Sequence, residues 1–266
     1  MNTVVDISWV RLGLGILFII ILLSISLYET LQLEKSILTG TLRASLQLIL
    51  VGYLINVIFN HKEWYFVLLI LMIMLLVASR TLIKRLKNPI RGTYVYALVA
   101  VSLASLLSLI LIFKVIIAIP VWYEPQYLIP IAGMIIAGGM NGAALAGERY
   151  RSEMELRLPE MEMLLSLGYE SRKASRRPRQ QALTAALIPS LNNMMVMGIV
   201  HLPGMMTGQI VAGSNPVTAV KYQIVIVLSL AATVSLASWI FLSLLDKKFF
   251  TPNHQIRYEL IRTRRL

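Results

Sequence analysis

Long apolar runs separated by short clusters of charge organise this chain. A membrane-spanning helix needs about 20 mostly apolar residues, and seven gaps between charged or histidine positions are long enough. They run from Arg11 to Glu29, Arg43 to His61, Glu63 to Arg80, Arg91 to Lys114, Glu124 to Glu148, Arg179 to Lys221 and Lys221 to Asp246. These gaps predict spans over about 10–28, 41–59, 64–80, 93–114, 127–147, 180–200 and 216–245. The sixth gap is too long for one helix, and Pro203, Gly204 and Pro216 punctuate it. It reads as a span, a partly buried loop or short helix over about 201–213, and a new helix start. Ser214 or Asn215 would cap that helix, with Pro216 in its first turn.

Composition points the same way. Of the 266 residues, 57% are apolar and 14% charged, and the mean hydropathy is +0.73. A soluble domain carries about a quarter of its residues charged, so this chain must be solvated mainly by lipid, as one membrane-embedded domain. Without cysteine it has no disulfide, thiolate metal site or cysteine nucleophile. The net charge of +12 could suggest nucleic acid, but the charges sit in short juxtamembrane loops without a recognition module, so no nucleic-acid partner is expected.

The charge instead orients the chain. Arg80, Lys84, Arg85, Lys87 and Arg91 occur with no acidic residue between them, which marks a cytoplasmic loop. Alternation then places 29–43, 148–179 and the basic tail 246–266 on the cytoplasmic side. Of the 25 lysines and arginines, only Arg11, Lys62, Lys114 and Lys221 fall outside. The first apolar stretch lacks a basic start and a small-residue cleavage site, so it stays as helix one. The expected fold is an all-α polytopic membrane protein with seven transmembrane helices. Its N-terminus is outside, its C-terminus is cytoplasmic, and it carries one helical cytoplasmic coupling loop over 148–179.

That loop mixes six acidic and eight basic residues. Helix five is expected to continue to about Leu158. Pro159 then suits the first turn of another helix, Glu160 and Glu162 its positive N-terminal end, and Gly168 its left-handed cap. Met161, Leu164, Leu165 and Leu167 give that helix apolar contacts, either for a partner's groove or for its own neighbours. Arg176-Arg-Pro178-Arg179 predicts a kink or break on the way into helix six.

Polar groups inside spans are costly and mark candidate pathway positions. Arg43 and Gln47 are one turn apart, although Arg43 could snorkel to the interface. Asn141 lies in the run Gly138-Gly-Met-Asn-Gly142, whose small residues also suit close helix packing. Asn192 and Asn193 follow Pro189, where a proline-broken helix would present amides, or would simply bond to its neighbours. Met134, Met205, Met206 and Gln209 complete the pathway candidates. The 13 methionines offer soft thioethers, better suited to copper(I) than to ferrous iron, and they also fill gaps in apolar packing. His61, His201 and His254 are not paired at ligand spacing, so the metal ligands stay unassigned. Glu124 could meet an exported cation, within an aromatic belt of Trp122, Tyr123 and Tyr127.

Several longer strings occur in one order: Leu33-Glu-Lys35, Arg43-Ala-Ser-Leu-Gln47, Val51-Gly-Tyr53, Ile129-Pro-Ile-Ala-Gly-Met134, Leu165-Ser-Leu-Gly168, Ala185-Ala-Leu-Ile-Pro189, Leu202-Pro-Gly-Met-Met-Thr-Gly208 and Lys221-Tyr-Gln-Ile224. In these the chain resembles the FetB (YbbM) family of iron-export permeases, from about residue 30 to about 245. The resemblance implies the permease subunit of an ATP-binding-cassette exporter in a bacterial plasma membrane, working as a homodimer with a separate FetA-like ATPase. Plant relatives are associated with aluminium tolerance, so another solute, such as a sugar nucleotide, is the alternative cargo. Glu162 and Gly168 also stand six apart, as in the loop by which cassette importers dock on their ATPases. On this reading Glu160, Glu162, Leu164, Leu165, Gly168, Arg172 and Lys173 couple the permease to the ATPase.

The chain has no G-x-x-x-x-G-K-[ST] phosphate loop, so it is expected to be no enzyme and to bind no cofactor, ATP being used by the partner. A membrane scaffold or sensor presenting the same loop is the reading from another class. An intramembrane enzyme is disfavoured, since no Ser-His, His-Glu-x-x-His or paired-Asp arrangement falls within the spans.

Overall fold

The computed structural model describes residues 7–61, 63–87 and 89–261. Lys62 and residues 262–266 of the basic tail lie outside the described residues. Among the described residues the chain is helical, and β-pairing is limited to two isolated bridges, Met197 with His201 and Phe250 with Ile256. It divides into two units. One holds the chain up to Glu63 together with Val211–Gly213, and the other holds Trp64–Ile210 and the chain from Ser214 onward.

In the first unit the predicted first span is two helices, α1 (Trp9–Gly13) and α2 (Ile16–Tyr28). A short turn leads to the long α3 (Glu34–His61). The Ser26 hydroxyl ties this hairpin together: it donates to the Glu34 carboxylate at 2.7 Å and accepts from the Leu33 amide at 3.3 Å. Apart from Ser26, α2 is almost wholly exposed. Its side chains are apolar, as suits a helix whose solvent is lipid.

The second unit is a bundle centred on α6 (Pro125–Leu156), which packs against α4 (Trp64–Arg85), α5 (Thr93–Ile110), α9 (Arg176–Val196) and α11 (Pro216–Phe249). The end of α5 widens into a π-helical stretch over Leu111–Ile116. Small residues let α6 approach α11 closely: a Cβ added at Gly142 would lie 2.6 Å from a Val234 methyl and 3.1 Å from the Ser238 hydroxyl. In lipid such close backbone approach, with its dispersion contacts, is a main source of helix association. A polar contact adds to this core: the Thr233 hydroxyl donates to the Ser229 carbonyl at 2.7 Å and so accepts from the Ser108 hydroxyl at 2.6 Å.

Local sequence signals set the boundaries as expected. Asn215 caps α11, its side-chain oxygen accepting from the Val217 amide at 2.9 Å with Pro216 in the first turn. Helix α6 runs on past the predicted span to Leu156. Then α7 (Leu158–Ser166) begins with Pro159 in its first turn and closes at Gly168, whose φ of +84° is left-handed. The Tyr169 amide donates back to the Leu164 carbonyl at 3.1 Å, and that of Gly168 to Leu165 at 3.0 Å, completing the glycine cap. The break expected near Pro178 falls just before it, between α8 (Ser171–Ala174) and α9. Pro178 itself sits in the first turn of α9, where a missing amide breaks no helical bond. Pro189 does not break its helix, because α9 continues through it to Val196. The segment after α9 holds a short helix, α10 (Gly204–Val211), and the chain ends beyond α11 in a reversal followed by α12 (Tyr258–Ile261).

Among the described residues, six helical stretches are long and apolar enough to cross a membrane: Trp9–Tyr28, Glu34–Ile55, Trp64–Arg85, Thr93–Ile116, Pro125–Leu156 and Pro216–Phe249. The protein is thus an all-α, multi-pass membrane protein. The segment predicted as the sixth of seven spans is helical, but as α9 it opens with Arg176-Arg-Pro-Arg-Gln-Gln181 and carries Asn192 and Asn193 near its end.

Candidate functional site

A cavity of about 270 Å³ opens between α6, α9 and α11, within the second unit. Asn141 lines it from α6, Ser190 and Asn193 from α9, and Leu230 and Val234 from α11. Helical spacing explains the selection. Ala186, Pro189, Ser190 and Asn193 share one face of α9 by helical spacing, whereas Asn192 falls off that face. On α6, Gly138, Asn141, Gly142 and Leu145 form the facing stripe, and half-buried Met134 continues it one turn beyond the cavity. The lining is therefore hydroxyl and amide on an otherwise apolar wall.

Asn141 is held from outside the cavity. The last turn of α4 delivers Arg85, whose guanidinium donates to the Asn141 side-chain carbonyl. The sequence marks Arg85 as part of a cytoplasmic charge cluster, and only the packing of α4 on α6 gives it this second role. Ser190 joins the cavity without standing out in the sequence, although it lies one turn before Asn193 on the same face. With its oxygen engaged by a cation, Asn141 presents mainly N–H donors to the cavity.

The other pathway candidates lie elsewhere. Arg43 and Gln47 are exposed on α3, in the first unit. Met205, Met206 and Gln209 are half-buried on α10, and the Gln209 side-chain oxygen is buried without a hydrogen-bond partner. Among the described residues no three His, Asp or Glu side chains are grouped to hold a metal ion.

The loop beyond α6 is braced on the same helices that enclose the cavity. Buried Glu153 on α6 takes Arg149 at 2.7 Å and Arg157 at 2.9 Å. Arg157 also reaches Glu160, and Glu160 reaches Arg177 on α9 at 2.8 Å, so a chain of ion pairs runs from α6 through α7 to α9. Its hydrogen bonds to Glu153 first, then Glu160, favour the charged form of Arg157 and push its pKa up further. Deeper in, Asp246 of α11 accepts from the Tyr150 hydroxyl of α6 and pairs with Arg179 of α9 at 2.7 Å. His254 joins the chain's end to the loop: its Nδ1 accepts from the Ser171 amide at 3.2 Å and lies 3.0 Å from that residue's hydroxyl.

This bracing redistributes the coupling candidates. Leu164 and Leu165 pack against the protein's own core beside buried Leu158 and Met161, so the apolar face of α7 is turned inward. The large apolar side chains left exposed on the loop are Leu156, Met163, Leu167 and Tyr169. Arg172 and Lys173 are exposed on α8. Glu162 is half-buried beside Gly168 in a groove that the chain's C-terminal reversal closes.

Comparison with known proteins places this architecture. The model of the uncharacterised protein family UPF0014 matches residues 9–250, which takes in the first helix that the shared strings left outside. The chain is 35% identical to the UPF0014 membrane protein slr1647 of Synechocystis, over 96% of this chain and 98% of that protein. It is 34% identical to the UPF0014 membrane protein YjkA of Bacillus subtilis, over 94% and 98% respectively. It is also 34% identical to the probable iron export permease protein FetB of Escherichia coli, over 92% and 93%. No solved structure matches the chain significantly. With a match running through every predicted span and the loop over 148–179, the chain belongs to the UPF0014 family of membrane proteins.

Proposed function

We propose that this chain is the permease subunit of an ATP-binding-cassette exporter that works as a dimer with a separate cytoplasmic ATPase and moves iron or another metal ion outward. The observation that carries the reading is the shared framework of cavity and loop. Helices α6, α9 and α11 enclose the polar cavity, and the same three helices hold the loop through Glu153, Arg177 and Asp246. A partner pressing on α7 and α8 would therefore move the helices that line the cavity. The relative named as a probable iron export permease supports the cargo. The absence of a phosphate-loop motif in the sequence supports a separate ATPase.

Asn141 lies on the cytoplasmic half of the 127–147 span of α6, beside Arg85, where it would meet a solute entering from the cytoplasm. Ser190 and Asn193 would offer a passing ion their oxygens, while Asn141, its carbonyl held by Arg85, would meet the ion's hydration water through its N–H groups, with Arg85 limiting how long a cation dwells there. Gln209 and the methionines of α10 would serve the exit.

Reconstitution with the cassette ATPase in liposomes tests this. Ferrous iron is expected to stimulate ATP hydrolysis and to be moved against its gradient, and Asn141→Leu with Asn193→Leu should abolish flux while the ATPase still binds. ATP-independent flux, or ATPase stimulation by a sugar nucleotide and not by any metal, would overturn the cargo. Loop-dependent protein binding without transport of any solute would favour the scaffold.

A further inference from the structure

A second and larger cavity, of about 580 Å³, lies where α8 and the start of α9 meet the end of α11. Arg172, Arg179, Lys247 and Arg257 line it, against a single acid, Asp246. That acid is fully committed, one oxygen accepting from Tyr150 and the other from Arg179. The side chains of Arg172, Lys247 and Arg257 form no ion pair among the described residues, and the Arg179 Nε is buried without a partner. Three positive charges thus converge on one cavity with no carboxylate left to meet them. Guanidinium groups suit the tetrahedral oxygens of phosphate, which they bind through two donors at once.

The cavity is also amphiphilic. Trp239 lines it two turns of α11 before Lys247, inside the apolar stretch, and the indole is 49% exposed. An indole at that depth with basic side chains above it reproduces the layering of a membrane interface, from acyl region to headgroup. We propose that this cavity binds a phosphate-bearing anion supplied by the headgroup of an anionic phospholipid, with Trp239 along the lipid's glycerol and acyl region. The lipid source accounts for the indole, which a free phosphate would leave without a role. Because α9 and α11 also enclose the polar cavity, such a lipid would set the spacing of helices used in transport.

Trp239 supplies its own reporter. The chain has four tryptophans, so Trp9→Phe, Trp64→Phe and Trp122→Phe together leave Trp239 alone in the full-length protein. In phosphatidylcholine nanodiscs, phosphatidylglycerol with brominated chains is expected to quench Trp239 at a mole fraction about tenfold lower than brominated phosphatidylcholine does, as several basic contacts predict. Lys247→Gln with Arg257→Gln, both at the cavity's rim, should reduce that preference to about twofold or less with an unchanged melting temperature. Arg172→Gln gives a second, independent reduction.

Equal quenching by the two lipids overturns the proposal. So does equal quenching combined with loss of ATPase co-purification in the double variant, which would make the cavity a protein contact. If inorganic phosphate at constant ionic strength removes the preference and itself protects the protein against heat, the anion chemistry stands and the lipid source is overturned.

Discussion

Gly142 owes its identity to a neighbour on another helix: an added Cβ would come within 2.6 Å of a Val234 methyl, and the stiff β-branched side chain has little freedom to move aside. Gly142→Val is therefore expected to cost about 1–3 kcal/mol, as overpacking does, and to lower the melting temperature in detergent. Gly142→Ala should give a smaller loss of the same sign. The Tyr150–Asp246–Arg179 cluster offers a contrast between two removals. Asp246→Asn leaves the Arg179 guanidinium, 14% exposed, without its counter-charge, and should cost about 3–5 kcal/mol. Tyr150→Phe removes one hydrogen bond from a carboxylate that keeps its arginine, and should cost about 1–2 kcal/mol. Thermal unfolding of the purified variants checks the order, and a larger loss for Tyr150→Phe would show that the arginine pairing is not what holds the cluster.

At the level of elements, α7 illustrates what a sequence can and cannot specify. Pro159 and Gly168 predict both of its ends, since a proline's fixed φ and a glycine's left-handed φ are local properties. Its apolar residues could not say which face would turn inward, because that depends on α9 and the chain's end arriving from far along the sequence. The same division holds at the cavity. Asn141 and Asn193 were legible as polar groups in apolar helices, while the Arg85 contact needed α4 to be packed on α6. Pro189 shows the converse: a local rule predicts a break, but α9 is held straight enough by its packing on α6 and α11 to run through it.

For coupling, the inward turn of Leu164 and Leu165 moves the expected contact to Met163 and Leu167. Met163→Asp with Leu167→Asp should weaken ATPase co-purification about tenfold, the loss of roughly 1.4 kcal/mol, with the melting temperature unchanged because both side chains are exposed. Leu164→Asp should instead lower the melting temperature, since it places a charge against the core. If Leu164→Asp weakens association without destabilising the chain, α7 rotates on docking.

Across the whole molecule the open issue is the number of crossings, and α9 decides it. At 1.5 Å per residue, α6 and α11 are about 48 and 51 Å long against an apolar core of about 30 Å, so both project well beyond the bilayer and carry the loop with them. The apolar part of α9, Ala182–Val196, reaches only about 22 Å. It could cross only with its polar residues sheltered by α6 and α11, on which it packs through buried Ala182 and Ala186. The charge bias requires that crossing, because with six spans the two termini would share a side.

A chain with no cysteine makes the test direct. Single cysteines at the exposed positions Ser166→Cys, Ile199→Cys and Asn253→Cys can be probed in spheroplasts with a membrane-impermeant maleimide. Seven spans predict labelling of Ile199→Cys in intact spheroplasts, and of the other two only after lysis. If α9 does not cross, Ser166→Cys and Ile199→Cys behave alike, while Asn253→Cys, held in one groove with Gly168, must follow Ser166→Cys in either case and serves as the control. The second pattern would also remove the Asn141–Asn193 cavity from any path across the membrane, since α9 would then enter and leave from one side.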